Sequence, residues 1–132
     1  MRKFGPVLVS LAAMSAATFA ATPAHAAAGT GGCGHASSNT GWDVDVCISS
    51  RGYTVYPDFY LNSKPSNPGS CTVLFYLVKP GGKELLYSSS CSSATIGHHG
   101  QYPRTVSIGP GLSYSSELVI DGFGRYSPPV DF

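Results

Sequence analysis

Apolar and polar side chains alternate along two neighbouring stretches of the chain. The first runs from Trp42 to Ile48 and the second from Tyr53 to Leu61. Because the side chains of a β-strand point alternately to its two sides, a period of two predicts strands with one buried face. The second stretch contains Pro57, whose nitrogen has no hydrogen to donate to a neighbouring strand. We therefore expect this strand to lie at a sheet edge or to carry a bulge.

The segment from Cys71 to Cys91 has the pattern of a β-hairpin. Its two halves, 71–79 and 83–91, flank Pro80-Gly81-Gly82, whose residue types favour a tight turn. A hairpin symmetric about Gly81 has these opposed pairs: Lys79 with Lys83, Leu77 with Leu85, Phe75 with Tyr87, and Cys71 with Cys91. This register predicts that the hairpin brings the two cysteines together.

The remaining pattern adds strands and no helix. Strands are predicted at Arg104–Ile108 and Leu112–Asp121, and loops at 62–70 and 92–102. Apolar residues do not recur at helical spacing anywhere after residue 26. Six strands in a chain of this size favour an immunoglobulin-like antiparallel β-sandwich, with a small closed β-barrel as the alternative. Trp42 is a core candidate in either fold.

The first 26 residues have the layout of a secretory signal peptide. Arg2 and Lys3 precede an uncharged run that ends at Thr22, and Ala24-His25-Ala26 forms a small-residue cleavage pattern. A membrane anchor needs about 20 apolar residues, whereas serines and threonines dilute this run. The sequence therefore predicts a secreted protein with a signal peptide at 1–26, a flexible Gly/Ala/Ser-rich lead-in at 27–40 and a single domain at 41–132.

The distribution of charged and apolar residues excludes two classes of partner. Loss of Arg2 and Lys3 leaves six of the eight basic residues against seven acidic ones, a formal net charge of −1. Nucleic-acid-binding surfaces concentrate lysine and arginine on one face, whereas here the six are scattered along the chain. The exported part has no second long apolar run and no amphipathic basic helix. We therefore expect neither nucleic acid nor membrane as a partner.

The four cysteines lie within the exported part. An even number in a short secreted chain is typical of a disulfide framework. Directly opposed residues of an antiparallel pair hold their Cβ atoms at about the spacing that a disulfide requires. The hairpin register therefore predicts a Cys71–Cys91 bridge, which leaves Cys33 to pair with Cys47. Neither a C-x-x-C nor an H-x-x-x-H spacing, as in zinc sites, is present.

Residue types capable of catalysis are present without a recognisable arrangement. No G-x-S-x-G nucleophile elbow occurs, and Asp43 and Asp45 on one strand face are more typical of solvated surface than of a glycosidase pair. His98 and His99 are adjacent, so an extended backbone points them to opposite sides. A metal site that adds His35 is the weaker interpretation. The sequence therefore predicts a non-enzymatic protein with no catalytic residue, metal or cofactor.

Tyrosine is the residue type that suggests a contact surface. The chain contains eight tyrosines. A tyrosine combines a wide apolar ring with a hydrogen-bonding hydroxyl, which suits protein interfaces and sugar stacking alike. Tyr56 and Tyr60 share the strand side opposite Phe59, and this pair is the candidate binding surface. The alternative is that both are ordinary strand residues of a two-layer fold.

The signal peptide, the all-β body and the two short-range disulfides together resemble small exported proteins of filamentous actinobacteria, among them the tendamistat-type α-amylase inhibitors. That resemblance implies a two-disulfide, six-stranded sandwich, and in that family an exposed Trp-Arg-Tyr turn blocks the enzyme. Here Trp42 is followed by Asp43 and Val44, and the cysteine spacings differ. Gly124-Arg125-Tyr126 is a poor substitute, so the resemblance covers architecture and carries over no functional residue.

Two functional interpretations follow. The first is a secreted, non-catalytic domain that binds an extracellular protein or carbohydrate, with inhibition of an extracellular enzyme as one form. The alternative is a passive structural protein of the cell envelope or spore surface, whose main property is stability.

Overall fold

The computed structural model describes residues 29–132, and these form two antiparallel sheets. The strands are β1 (Gly29–Thr30), β2 (Gly32–Ser37), β3 (Asp43–Arg51), β4 (Thr54–Ser63), β5 (Thr72–Lys79), β6 (Gly82–Ser90), β7 (Gly97–His99), β8 (Arg104–Thr105), β9 (Ser113–Ile120), β10 (Phe123–Tyr126) and β11 (Val130–Asp131). The predicted signal peptide at 1–26 lies outside the described residues.

The two sheets pack face to face as a β-sandwich. One is six-stranded in the order β1-β11-β9-β5-β6, with β10 also beside β9. The other is five-stranded in the order β2-β3-β4-β7, with β8 also beside β4. The predicted antiparallel β-sandwich is therefore confirmed, and the strands do not join into the single closed barrel that was its alternative.

The alternating pattern places the core between the sheets. Val44 and Val46 of β3 and Phe59 of β4 are fully buried and pack against Phe75 of β5, whose ring centroid lies 4.7 Å from that of Phe59. Trp42 closes the same cluster and is 3% exposed, as predicted. Complete burial of a large apolar side chain contributes about 1.5–3 kcal/mol, so these positions hold the two sheets together.

Pro57 lies at an interruption in the sheet rather than at a simple edge. Strand β4 pairs with β3 over its whole length, while its other side pairs with β8 at one end and with β7 at the other. The carbonyl of Pro57 accepts a hydrogen bond from the Tyr102 N–H at 3.0 Å. Because the N and C=O groups of one strand residue point to the same side, the proline nitrogen faces the gap between β8 and β7, where no strand needs its hydrogen.

The hairpin register is confirmed at one end and wrong at the other. Next to the turn, Lys79 pairs with Gly82 and Leu77 with Glu84, one residue away from the symmetric register. A bulge beside Tyr76 then adds one residue to β6, and Phe75 pairs with Tyr87 as predicted. Cys71 and Cys91 consequently meet and form a disulfide with a Cα–Cα distance of 5.2 Å.

The described part of the predicted lead-in forms strands. Residues 29–37 contain β1, which pairs with β11, and β2, which pairs with β3. Composition suggested flexibility here, but the glycines serve close packing: a Cβ on Gly31 would lie 2.3 Å from the Ile48 carbonyl oxygen, and one on Gly34 would lie 2.5 Å from that of Tyr126. Cys33 is held directly opposite Cys47 by the second predicted disulfide.

The C-terminal half departs from the predicted elements in three places. The loop at 92–102 contains β7, and the strand expected at Arg104–Ile108 shortens to the two residues of β8. The tail after Asp121 forms β10 and β11, both of which pair with β9. Each of these elements is only two to four residues long, too short for a period-two pattern to stand out.

Candidate functional site

The outer side of the five-stranded sheet is polar and aromatic. Because the apolar residues of β3 and β4 turn into the core, the alternate residues turn outward and form rows across the sheet. The outward side chains, here called the groove face, are Cys33 and His35 from β2, Asp43, Asp45, Cys47 and Ser49 from β3, Tyr56, Asp58, Tyr60 and Asn62 from β4, and His98 from β7. Tyr56 and Tyr60 are therefore on one side, opposite Phe59, as predicted.

Two hollows lie along this face. The first has a volume of about 330 Å³ and is lined by Gly31, Gly32, the Cys33–Cys47 bridge, Asp58 and Tyr60, among others. The second has a volume of about 380 Å³ and is lined by Ser49, Ser50, Arg51, Tyr56 and Gln101. Ser49 and Gln101 line both hollows, so the two hollows are adjacent. Together they are called the groove here, and each holds one of the two predicted tyrosines.

The orientation of the Tyr60 ring is fixed by His98, its neighbour on the adjacent strand. Its ring stacks on the imidazole of His98, with centroids 4.5 Å apart and planes inclined by 22°. The residue is nevertheless 39% exposed and lines the first hollow. Cross-strand aromatic pairs stabilise a ring orientation, so Tyr60 presents a fixed aromatic surface to the groove. Tyr56 is half-buried in the second hollow.

Asp58 is the buried carboxylate of the groove. It points outward from β4 but is only 9% exposed, because the backbone at Gly100 covers it: a Cβ on Gly100 would lie 2.9 Å from that of Asp58. Its Oδ2 accepts a hydrogen bond of 2.6 Å from Nε2 of His98. His98 thus contacts both groups, stacking on the ring of Tyr60 and donating a hydrogen bond to Asp58.

The second carboxylate oxygen of Asp58 is accessible from outside the protein. Among the described residues, Oδ1 has no hydrogen-bond partner, whereas every fully buried side-chain nitrogen and oxygen in residues 29–132 has one. Oδ1 is therefore not sealed inside the protein, and Asp58 lines the first hollow. A carboxylate oxygen accepts hydrogen bonds readily, so this atom is ready to accept one from a bound molecule.

A second polar cluster flanks the groove at the other end of β3. The amide nitrogen of Asn62 donates hydrogen bonds of 2.9 Å to Asp43 and 2.8 Å to Asp45. Asn62 is the extra residue of a bulge that shifts the β3–β4 register, and bulges typically redirect a side chain in this way. His35 Nδ1 donates to Oδ1 of Asp45 at 2.9 Å.

Electrostatics bind this cluster together. The hydrogen bond to Asp45, followed by the charge of Asp43, raises the pKa of His35 above its ordinary value. The hydrogen bond from Asn62 and, after it, that from His35 hold the pKa of Asp45 below its ordinary value against the opposing effect of burial. Each partner therefore favours the charged form of the other.

The adjacent side chains of His98 and His99 point to opposite sides of β7, as predicted. His98 faces the groove, whereas the ring of His99 stacks on Phe59 at 4.5 Å and its Nε2 donates to the carbonyl of Thr95 at 2.7 Å. Within residues 29–132 no group of three or more His, Cys, Asp or Glu side chains is arranged to hold a metal ion. His98 and His99 thus have different roles, one at the groove and one in the packing of the core.

Sequence reasoning located the tyrosines but missed the Asp58–His98 pair. The parity of β4 did carry a signal, since Asp58 lies midway between Tyr56 and Tyr60 on the same side of the strand. His98 is 40 residues further along the chain, on a three-residue strand that was predicted to be a loop. His98 lies beside Tyr60 because β7 pairs with β4.

Comparison with protein families, curated proteins and solved structures finds no match to this chain. The two intramolecular disulfides indicate an oxidising environment such as the extracellular one. In the part of the chain that the structure describes, no helix is long and apolar enough to cross a membrane.

Proposed function

We propose that this protein is a secreted, non-catalytic binding domain whose ligand, an extracellular protein or carbohydrate, occupies the groove face. The single observation that carries the proposal is the groove itself, in which a fixed, part-exposed Tyr60 and a buried carboxylate with one free oxygen converge on the same hollow. Ligand sites combine a concave surface with a few placed polar groups in this way.

Rigidity supports the proposal. The first hollow is lined by a disulfide between two directly opposed residues of β2 and β3, and Tyr60 and Asp58 are linked through one histidine. A surface that is ordered before its ligand arrives loses less conformational entropy on binding. Two tyrosines on one strand face would also suit a structural protein, but the placement of one in each of two adjacent hollows favours recognition.

The test is retention of extracellular material by the oxidised protein after export. The immobilised protein is exposed to culture supernatant proteins and, separately, to cell-wall polysaccharides, alongside a Tyr56→Ser/Tyr60→Ser variant. We expect one saturable partner that the double variant no longer retains, because both halves of the groove lose their aromatic surface. Tyr53→Ser is the matched control, since Tyr53 is 61% exposed and lines neither hollow.

The outcomes separate the two functional interpretations. Retention that is equal in the wild type and the folded double variant places the ligand elsewhere and contradicts the proposal. Accumulation in an insoluble cell-surface fraction with no saturable partner favours the structural protein instead. Turnover of any retained molecule contradicts the non-catalytic assignment.

A further inference from the structure

We infer that the ligand of the groove is an uncharged polysaccharide, with Asp58 accepting hydrogen bonds from sugar hydroxyls and Tyr60 stacking on a sugar ring. This inference rests on the proposed function and names the ligand class of the same site. Three properties of the groove carry it: the kind of polar group it offers, the absence of exposed aliphatic or phenylalanine side chains from β3 and β4, and its charge.

The polar groups match hydroxyl chemistry. The first hollow presents the free oxygen of Asp58, an acceptor, together with the side chains of Ser49 and Gln101, which both donate and accept. Adjacent sugar hydroxyls also donate and accept, so each finds a partner here. A hydrogen bond to an ionised carboxylate is roughly twice as strong as one between neutral groups, which makes Asp58 the dominant contact.

Tyr60 supplies the apolar half of sugar recognition. One side of its ring is covered by His98, and the residue also lines the first hollow. A pyranose ring has a C–H surface that packs on an aromatic ring while its hydroxyls extend to the sides. Because His98 joins Tyr60 to Asp58, the platform and the acceptor keep a fixed separation, as recognition of one ring shape requires.

The groove offers tyrosine and disulfide surface but no exposed aliphatic side chain from β3 or β4. Protein interfaces draw most of their affinity from a few large side chains in desolvated apolar pockets. In β3 and β4 every aliphatic and phenylalanine side chain is instead buried in the core, each at most 1% exposed: Val44, Val46, Ile48, Val55, Phe59 and Leu61. The outer side of the other sheet offers Leu85 at 51% exposure, so the shortage is specific to the groove face.

The charge of the groove disfavours acidic sugars, and its length favours a polymer over a single sugar. Asp43, Asp45 and Asp58 all face outward from this sheet. The basic groups near them are His35 beside Asp45, with Arg125 near it, His98 beside Asp58, and Arg51 at the far end of the groove. A uronic acid or sulfated polymer would meet like charge beside the main acceptor. The hollows holding Tyr60 and Tyr56 lie side by side at Ser49 and Gln101, so a polymer can place one sugar unit in each.

The experiment is affinity electrophoresis of the oxidised protein through gels that contain one polysaccharide each. The uncharged probes are α- and β-linked glucans, mannan, galactan, xylan and soluble chitin oligomers, and alginate is the acidic probe. We expect at least one uncharged probe to retard the protein saturably and alginate to have no effect. Asp58→Asn and Tyr60→Ala should each weaken that binding by roughly tenfold or more.

Two further variants keep the result interpretable. Gln101→Ala changes an exposed residue that lines both hollows, so it should weaken binding even if Asp58→Asn fails to fold. Asp121→Asn makes the same chemical change at an exposed position outside the groove and should leave binding unchanged. Undiminished sugar binding in Asp58→Asn and Gln101→Ala would place the sugar elsewhere and overturn the inference.

The inference and the proposed function fail differently. Tyr60-dependent retention of a supernatant protein, with no uncharged polysaccharide bound, would overturn the sugar assignment and leave the binding domain intact. Retardation by alginate alone would overturn the uncharged class. Absence of any Tyr60-dependent partner in both experiments would overturn the two together.

Discussion

The two outer sides of the sandwich each hold one buried carboxylate, and the two carboxylates differ in their surroundings. Asp58 on the groove face is 9% exposed and has one partner among the described residues, His98. Glu117 on the six-stranded sheet is 5% exposed and accepts a hydrogen bond from Lys83 at 2.8 Å. Tyr126 also helps to hold the pKa of Glu117 below its ordinary value. Glu117 is paired with a lysine and lines neither hollow of the groove, whereas Asp58 lines the first hollow.

The surroundings of Glu117 explain why this carboxylate is paired with a lysine. This side of the sheet, here called the apolar face, presents Leu74, Val78, Leu85 and Val119. Burial works to raise the pKa of Glu117, but hydrogen bonds from Lys83 and Tyr126 outweigh it and hold the pKa below its ordinary value. A buried charge without partners is costly, so Glu117 serves the fold, whereas Asp58 has capacity left for a ligand.

The largest expected effect comes from removing the disulfides, one associated with each sheet. The bridges close separations of 14 and 20 residues, and loss of either should reduce the free energy of unfolding by about 3 kcal/mol. Cys71→Ala/Cys91→Ala should retain ligand binding, because this bridge is outside the groove. Cys33→Ala/Cys47→Ala should lose binding as well, because these residues line the first hollow.

Denaturant unfolding and affinity electrophoresis measure the two effects separately. The comparison of faces fails if the folded Cys33→Ala/Cys47→Ala variant binds as the wild type does. It also fails if the Cys71→Ala/Cys91→Ala variant remains folded and loses binding.

A smaller effect is expected from Lys83→Met on the apolar face. Glu117 would lose a charged hydrogen-bond partner, and the unfolding temperature should fall by about 5 °C at neutral pH. Glu117 has a lowered pKa, so its contribution is present above its unfolded value of 4.5 and is lost as the pH falls through its folded pKa. The difference between Lys83→Met and the wild type should therefore shrink in acid.

Glu117→Met is the matched control for this prediction. It removes the buried charge and leaves Lys83, whose side chain is 49% exposed, free to be solvated. An apolar replacement of a buried charge is often neutral, so the unfolding temperature should stay within about 2 °C of the wild type. An equal loss in both variants would show that the ion pair itself, rather than the satisfaction of Glu117, stabilises this face.

Sequence pattern predicted the inner sides of the sheets far better than the outer ones. Alternation identified Val44, Val46 and Phe59 as one buried side because burial imposes a period of two on any strand it touches. It also placed Tyr56 and Tyr60 together. Outer residues face no such constraint, so nothing in the pattern distinguished the groove face from the apolar face.

Two bulges and one long-range contact could not be predicted from the hydrophobic pattern, for physical reasons. The Asn62 bulge and the bulge in the hairpin each add a single residue, and a bulge arises from local twist and pairing rather than from hydrophobicity. The Asp58–His98 contact requires a long-range pairing between β4 and β7. The hairpin disulfide was predictable because the bulge restores, at Phe75 and Tyr87, the register that the turn had shifted.

The smallest expected effect is on the titration of His35, at the edge of the groove face. Its raised pKa means that its contribution to stability is fully present below 6.5, its ordinary value, and is lost as the pH rises through the folded pKa. The contribution of Asp45 is present above 3.8 and lost as the pH falls through its lowered pKa. The pair is therefore intact between these two values.

An NMR titration of the imidazole signals should give His35 a midpoint above 6.5. Asp45→Asn should move that midpoint downward because it removes the main cause of the shift, whereas Asp121→Asn should leave it unchanged. Neither His35 nor Asp45 lines a hollow, so Asp45→Asn should not alter polysaccharide binding. Loss of binding in that variant would show that the ligand extends beyond the groove onto the β2–β3 edge, and the boundary between the groove and its supporting charges would have to be moved there.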